Sequence, residues 1–97
     1  MATFIVLVNW TDQGIRDFKQ SPQRTDVVAK VAEKHGGSMQ SLHWTVGPYD
    51  LVGVFEAPDE ESAAAMMLEV GASGAVRTTI LRAFDRAEME GIIARTG

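Results

Sequence analysis

Hydrophobic residues alternate or cluster along this chain in a way that lays out most of its elements. Thr3–Trp10 (TFIVLVNW) is β-branched and aromatic, with Phe4, Val6 and Val8 on one parity and Ile5 and Leu7 on the other. A strand apolar on both parities is covered on both faces. Thr11 then caps a short helical start carrying Ile15 and Phe18. Ser21-Pro22 restarts the helix, serine as cap and proline in the first helical position. Beyond it Val27, Val28, Val31 and Ala32 form one stripe at helical spacing, and Gly36-Gly37 ends the helix. A break near Ser21-Pro22 is predicted rather than one straight rod.

Ser38–Val46 is the second predicted strand, with Gln40, Leu42, Trp44 and Val46 on one face and Met39, Ser41, His43 and Thr45 on the other. Gly47-Pro48-Tyr49-Asp50 makes the turn of a hairpin, and Leu51–Ala57 returns as a third strand, again apolar on both parities. Asp59 caps a second main helix behind Pro58. Its Ala63, Met66, Met67 and Val70 fall at i, i+3, i+4 and i+7, with Gly71 and Gly74 as stops. Val76–Phe84 is the fourth strand. Asp85-x-x-Glu88 opens a final helix with Met89, Ile92 and Ile93 on its apolar side.

The order β-α-β-β-α-β plus a terminal helix is the split βαβ plan, an α+β ferredoxin-like fold in one domain spanning residues 1–97. Right-handed crossovers put both main helices on one face of a four-stranded antiparallel sheet. The central pair in this plan, strands one and three, are the two that are apolar on both parities. Helices cover only one face, so an apolar patch of a few hundred Å² is left on the other, more than a monomer usually exposes. A homodimer, or a higher homo-oligomer, stacking two such faces into a dimeric α/β-barrel removes it. The competing solution folds the C-terminal helix over that face.

Composition narrows the classes of function. The chain has 97 residues, 45% hydrophobic and 23% charged, with nine Lys+Arg against thirteen Asp+Glu for a net charge of −4. The basic residues are spread out, which argues against nucleic acid or an anionic membrane as partner. With no cysteine, disulfides and thiolate chemistry are excluded. The N-terminal apolar run Phe4–Val8 is too short for a signal peptide or a membrane span, and a cytoplasmic location is expected. No phosphate loop, zinc spacing or nucleophile elbow is present, and no metal or cofactor is expected.

The hairpin and its flanks resemble the GYD-domain family, named for a Gly-x-Tyr-Asp-type motif that falls here on Gly47, Tyr49 and Asp50. The likeness extends to Trp10–Arg16, to Asp50–Val52 and Glu56–Asp59, and to Val76–Thr79 with Leu81–Phe84. The resemblance implies a ferredoxin-like, dimeric α/β-barrel domain of bacterial type. It brings no catalytic residue with it.

The residues themselves offer a few candidates. Tyr49 and Asp50 would make a polar pair at the rim of a pocket, although Asp50 has a sufficient reason to be there in satisfying backbone N–H groups. His43 is a candidate general base, and Glu56 joins it if buried. His35 at a helix C-terminus needs no function. Trp10, Trp44 and Tyr49 are candidate ligand contacts, with Asn9 beside them. Arg77 and Arg82 would hold an anion or pair with surface acids, and Met66-Met67 is core packing. Three functions follow: a homo-oligomeric domain binding a small organic molecule in or beside the barrel; a cofactor-independent barrel enzyme of the monooxygenase, isomerase or decarboxylase kind acting on an apolar or aromatic substrate; and an assembly module without a ligand. An enclosed pocket of a few hundred Å³ in which His43 meets a carboxylate favours binding or catalysis, and a filled core with both residues in solvent excludes the enzyme.

Overall fold

A computed structural model describes Met1–Gly97. Nine elements succeed one another: β1 (Ala2–Trp10), α1 (Asp12–Arg16), a 3-10 turn (Phe18–Gln20), α2 (Ser21–Lys34), β2 (Ser38–Trp44), β3 (Leu51–Ala57), α3 (Glu60–Ala72), β4 (Val76–Ala83) and α4 (Arg86–Ala94). The sheet order is β2-β3-β1-β4 and every pair is antiparallel, the ferredoxin-like arrangement. β1 and β3 are central, as their two-sided apolar pattern requires.

The helix starts follow local chemistry. The Thr11 hydroxyl accepts from the Gly14 N–H, the Asp59 carboxylate from the Ser62 N–H, and Asp85 and Glu88 exchange the two bonds of a capping box. The break before α2 is present as a 3-10 turn. Ser21, however, is the first helical residue and not the cap. Its side chain is turned inward, 3% exposed, and Gln20 in the cap position makes no side-chain bond. Gly36 and Gly74 take φ near +83° just beyond α2 and α3, a conformation that costs glycine little.

Phe4, Val6 and Val8 of β1 and Leu51, Phe55 and Ala57 of β3 face the helices and join Ala32, Ala63, Met66 and Met67 in one core. In β2 the expected alternation fails. A bulge between Met39 and Ser41 leaves Gln40 unpaired, so that Met39, Leu42 and Trp44 all stand opposite residues of the helix-covered side, Phe55, Gly53 and Leu51. The extra residue switches parity in the middle of the strand, which a strict period of two cannot show. The strand also ends at Trp44, and Val46 lies fully exposed in the turn.

The second face carries no helix. Ile5 sits between Val54 and Leu81, and Leu7 between Val52 and Thr79. His43 and Ser41 flank these rows on the β2 side. α4 does not cover them: it has no buried residue and packs closely on no strand, leaving Met89 and Ile93 exposed. The C-terminal solution to the bare face is therefore not the one this chain adopts.

Candidate functional site

The concavity lies on the helix-covered side. α2 meets the sheet only through small side chains, Val28, Val31 and Ala32, and although α3 packs Ala63, Met66 and Met67 against it, the two helices do not fill the space above β1 and β3. A cavity of about 180 Å³ remains, walled by Val6, Val8, Leu51, Phe55, Met67 and Val70 among others. Val27, expected in the core stripe, is 61% exposed and stands with Glu69 and Ser73 among the exposed residues of the wall, at its mouth. A closed apolar void of this size costs about 4 kcal/mol at roughly 24 cal/mol per Å³, a large share of a small domain's stability. An opening relieves part of that cost, and an apolar occupant removes more.

Six polar residues enter the wall, Ser21, Arg24 and Thr25 from α2 and Glu69, Ser73 and Thr78 from beyond it. Ser21 and Arg24, three residues apart, share one helix face. The buried Ser21 hydroxyl accepts from Trp44 Nε1 at 2.9 Å, and its own proton has no acceptor in the protein. Arg24 donates one bond, Nη2 to the Gly14 carbonyl at 3.2 Å, and pairs with no carboxylate. Glu69 also lines the wall, but its Oε1 accepts from Lys34 Nζ at 2.8 Å and lies 2.9 Å from His35 Nε2. Those bonds, Lys34 first, hold the Glu69 carboxyl below its ordinary range.

The residues singled out from sequence are dispersed. Trp10 lines the cavity. Trp44 is about half exposed and touches the site only through its bond to Ser21. Asp50 is structural in geometry: its Oδ2 accepts from the Trp10 N–H at 2.8 Å and its own N–H donates to the Val8 carbonyl. Tyr49 is half-buried in the turn. Its carbonyl accepts from the Thr45 hydroxyl, while its phenol makes no hydrogen bond. His43 and Glu56 both lie on the helix-free face, opposite Val52 and between Thr3 and Ser38 respectively. Four residues of strand separate their rows, about 13 Å, so neither meets the other or the cavity. Asn9 pairs across the sheet with Arg77 on the same face. Arg82 is on the helix side, its guanidinium 4.4 Å from the Phe84 ring centroid and 3.6 Å from Glu88 Oε2. No group of three His, Asp or Glu side chains converges as a metal site would require, and no helix is long and apolar enough to cross a membrane.

Sequence reasoning did not single out Ser21 and Arg24 as a pair. The available signal was their i, i+3 spacing on a helix whose core-facing residues are only valine and alanine, too small to close against a sheet.

The GYD domain as a family matches residues 4–93. The chain belongs to the GYD-domain family. A curated relative from Thermus thermophilus, the "Glutamine synthetase and cystathionine beta-lyase binding protein", is 37% identical over 90 residues, covering 92% of this chain and 95% of the relative. Among solved structures, TTHA0845 from the same organism superposes with a TM-score of 0.55 at 23% identity, covering 88% of this chain and 95% of that one. FFRP-DM1 superposes with a TM-score of 0.63 at 14% identity, covering 87% and 100%. At those identities the two structures speak for the ferredoxin-like fold alone. The GYD motif itself falls on the turn whose Asp50 carboxylate ties β3 to the end of β1.

Proposed function

We propose that this GYD domain is a cytoplasmic, non-catalytic binding domain that works as a homodimer. Two copies stack their helix-free faces into a dimeric α/β-barrel, and each copy holds a small organic molecule beneath its helices. The observation that carries the reading is the division of labour between the two faces of the sheet. One bears the uncovered rows around Ile5, Leu7, Val52 and Val54; the other bears a walled apolar cavity. Placing the molecule in the cavity moves it from the barrel to the opposite side of the sheet. A cofactor-independent enzyme is the weaker reading, because the exposed His43 and the distant Glu56 leave the cavity without a base, and the carboxylate of Glu69 is engaged by Lys34 and His35.

Native mass spectrometry of the protein from its own host tests the proposal in one measurement. A dimer carrying one small adduct per subunit is expected. A clean monomer at micromolar concentration would refute the assembly, and ligand-free subunits from every preparation would refute the binding.

The relative's name supports a second reading, in which the dimer's target is another protein. In this chain the surface favouring it is α4, whose Met89 and Ile93 are 42% and 58% exposed. Affinity capture with and without residues 86–97 distinguishes a docking helix from a bystander.

A further inference from the structure

We infer that the cavity is a site for a small apolar carboxylate, a one-ring aromatic acid or a short aliphatic acid, with its carboxylate held by Arg24 and Ser21. The inference rests on the small-molecule part of the reading above and names its chemistry. Size fixes the body of the ligand. A cavity of about 150 Å³ with aliphatic and aromatic walls stays dry and takes benzene, and this one measures about 180 Å³. Val8, Val28, Val31, Phe55, Met67 and Val70 give that body an apolar surround.

The head follows from the donors left over. Acidic residues outnumber basic ones thirteen to nine, yet none is placed against Arg24. A guanidinium beside an apolar wall, with most of its N–H groups uncommitted, is built for a planar bidentate acceptor. Ser21 adds a buried hydroxyl that accepts one bond from Trp44 Nε1 and whose own proton is still free to donate to a ligand. Both groups therefore donate, and a ligand head that only accepts satisfies both. Glu69, the one carboxylate in the wall, does not oppose such a ligand. It is paired with Lys34 at 2.8 Å, ten residues along α2 from Arg24, which is about 15 Å of helix.

The test titrates the isotope-labelled full chain with benzoate, benzyl alcohol and acetate, following valine methyl signals and the Trp10 indole by NMR. Benzoate is expected to shift Val28, Val31 and Trp10, with an affinity at least tenfold above benzyl alcohol, and acetate is expected to leave them unmoved. Arg24→Gln removes the preference for benzoate while benzyl alcohol binds as before. Val70→Phe, which fills the cavity, abolishes both. Equal binding of benzoate and benzyl alcohol to the wild type would overturn the carboxylate assignment and leave the small-molecule reading standing. No response to either ring compound would overturn both. Shifts confined to the helix-free face would overturn the location. The wild-type titrations decide the class even if a variant fails to fold.

Discussion

The carboxylate of Asp50 accepts a hydrogen bond from the backbone N–H of Trp10 at 2.8 Å, joining residues forty apart in sequence. β1 runs past the end of β3 at this point, and the Trp10 amide would otherwise have no partner in the ladder. Asp50 in turn donates its own N–H to Val8. The last residue of the GYD motif thus completes the central strand pair.

Removing that acceptor leaves a partly buried amide unpaired, at a cost of about 1–2 kcal/mol. Asp50→Ala is expected to lower Tm by roughly 4–16 °C, given about 4–8 °C per kcal/mol for a domain of this size. Asp50→Asn keeps an oxygen in place and is expected to recover most of the loss. If Asn proved as damaging as Ala, the carboxylate would be needed for its charge and not as an acceptor.

Gly14 shows how closely α1 is drawn against the start of β4. A methyl group there would run into the Ala75 carbonyl, which is itself fixed by accepting from the Thr11 N–H at 3.0 Å. Backbone cannot step aside as a flexible side chain does. Gly14→Ala is expected to cost about 1–3 kcal/mol, at the upper end of that range for overpacking. Gly91→Ala on α4, where nothing lies within reach of the added methyl, is the control and is expected to be neutral or stabilising by chemical denaturation.

Much of this was legible in the sequence, and the parts that were not share a physical cause. The caps at Thr11, Asp59 and Asp85, the central placement of β1 and β3, and the bare sheet face all follow from local chemistry or from a strict period. The inward turn of Ser21, the bulge at Gln40 and the half-exposure of Val28 and Val31 depend on how far apart two elements settle. Spacing along one helix says which residues face the sheet; it does not say whether those side chains are long enough to reach it. The same limit separated the candidates: His43 and Glu56 share a face by parity, but only the register shows their rows to be four residues apart.

The Glu69 carboxyl gives a pH dependence with a definite sign. Bonds from Lys34 and His35 hold its pKa below the ordinary glutamate value of about 4.3. A group depressed in the folded state contributes stability above its unfolded pKa and loses it as pH falls through the folded one. Asp59, depressed by its bond from the Ser62 N–H, acts in the same direction. Both groups are exposed, so the effect is small. Tm of wild type minus Glu69→Gln is expected to be constant above about pH 5.5 and to shrink toward zero below about pH 4. A difference growing on acidification would contradict the assignment.

The helix-free face supplies the sharpest test of assembly. Leu7 lies in its centre, flanked by Val52 and Thr79, on the opposite side of the sheet from the buried Val6 and Val8. A charge at position 7 stands on a half-buried site of the helix-free face, where in the monomer water still reaches it. Between two stacked sheets it is buried without a partner. Leu7→Asp is therefore expected to halve the mass seen by light scattering while the far-ultraviolet circular dichroism spectrum is retained. Val46→Asp, in the exposed turn, is expected to leave the mass unchanged. If Leu7→Asp remained a dimer, the contact would have to lie elsewhere, and the exposed apolar side of α4 around Met89 and Ile93 would be the surface to probe next.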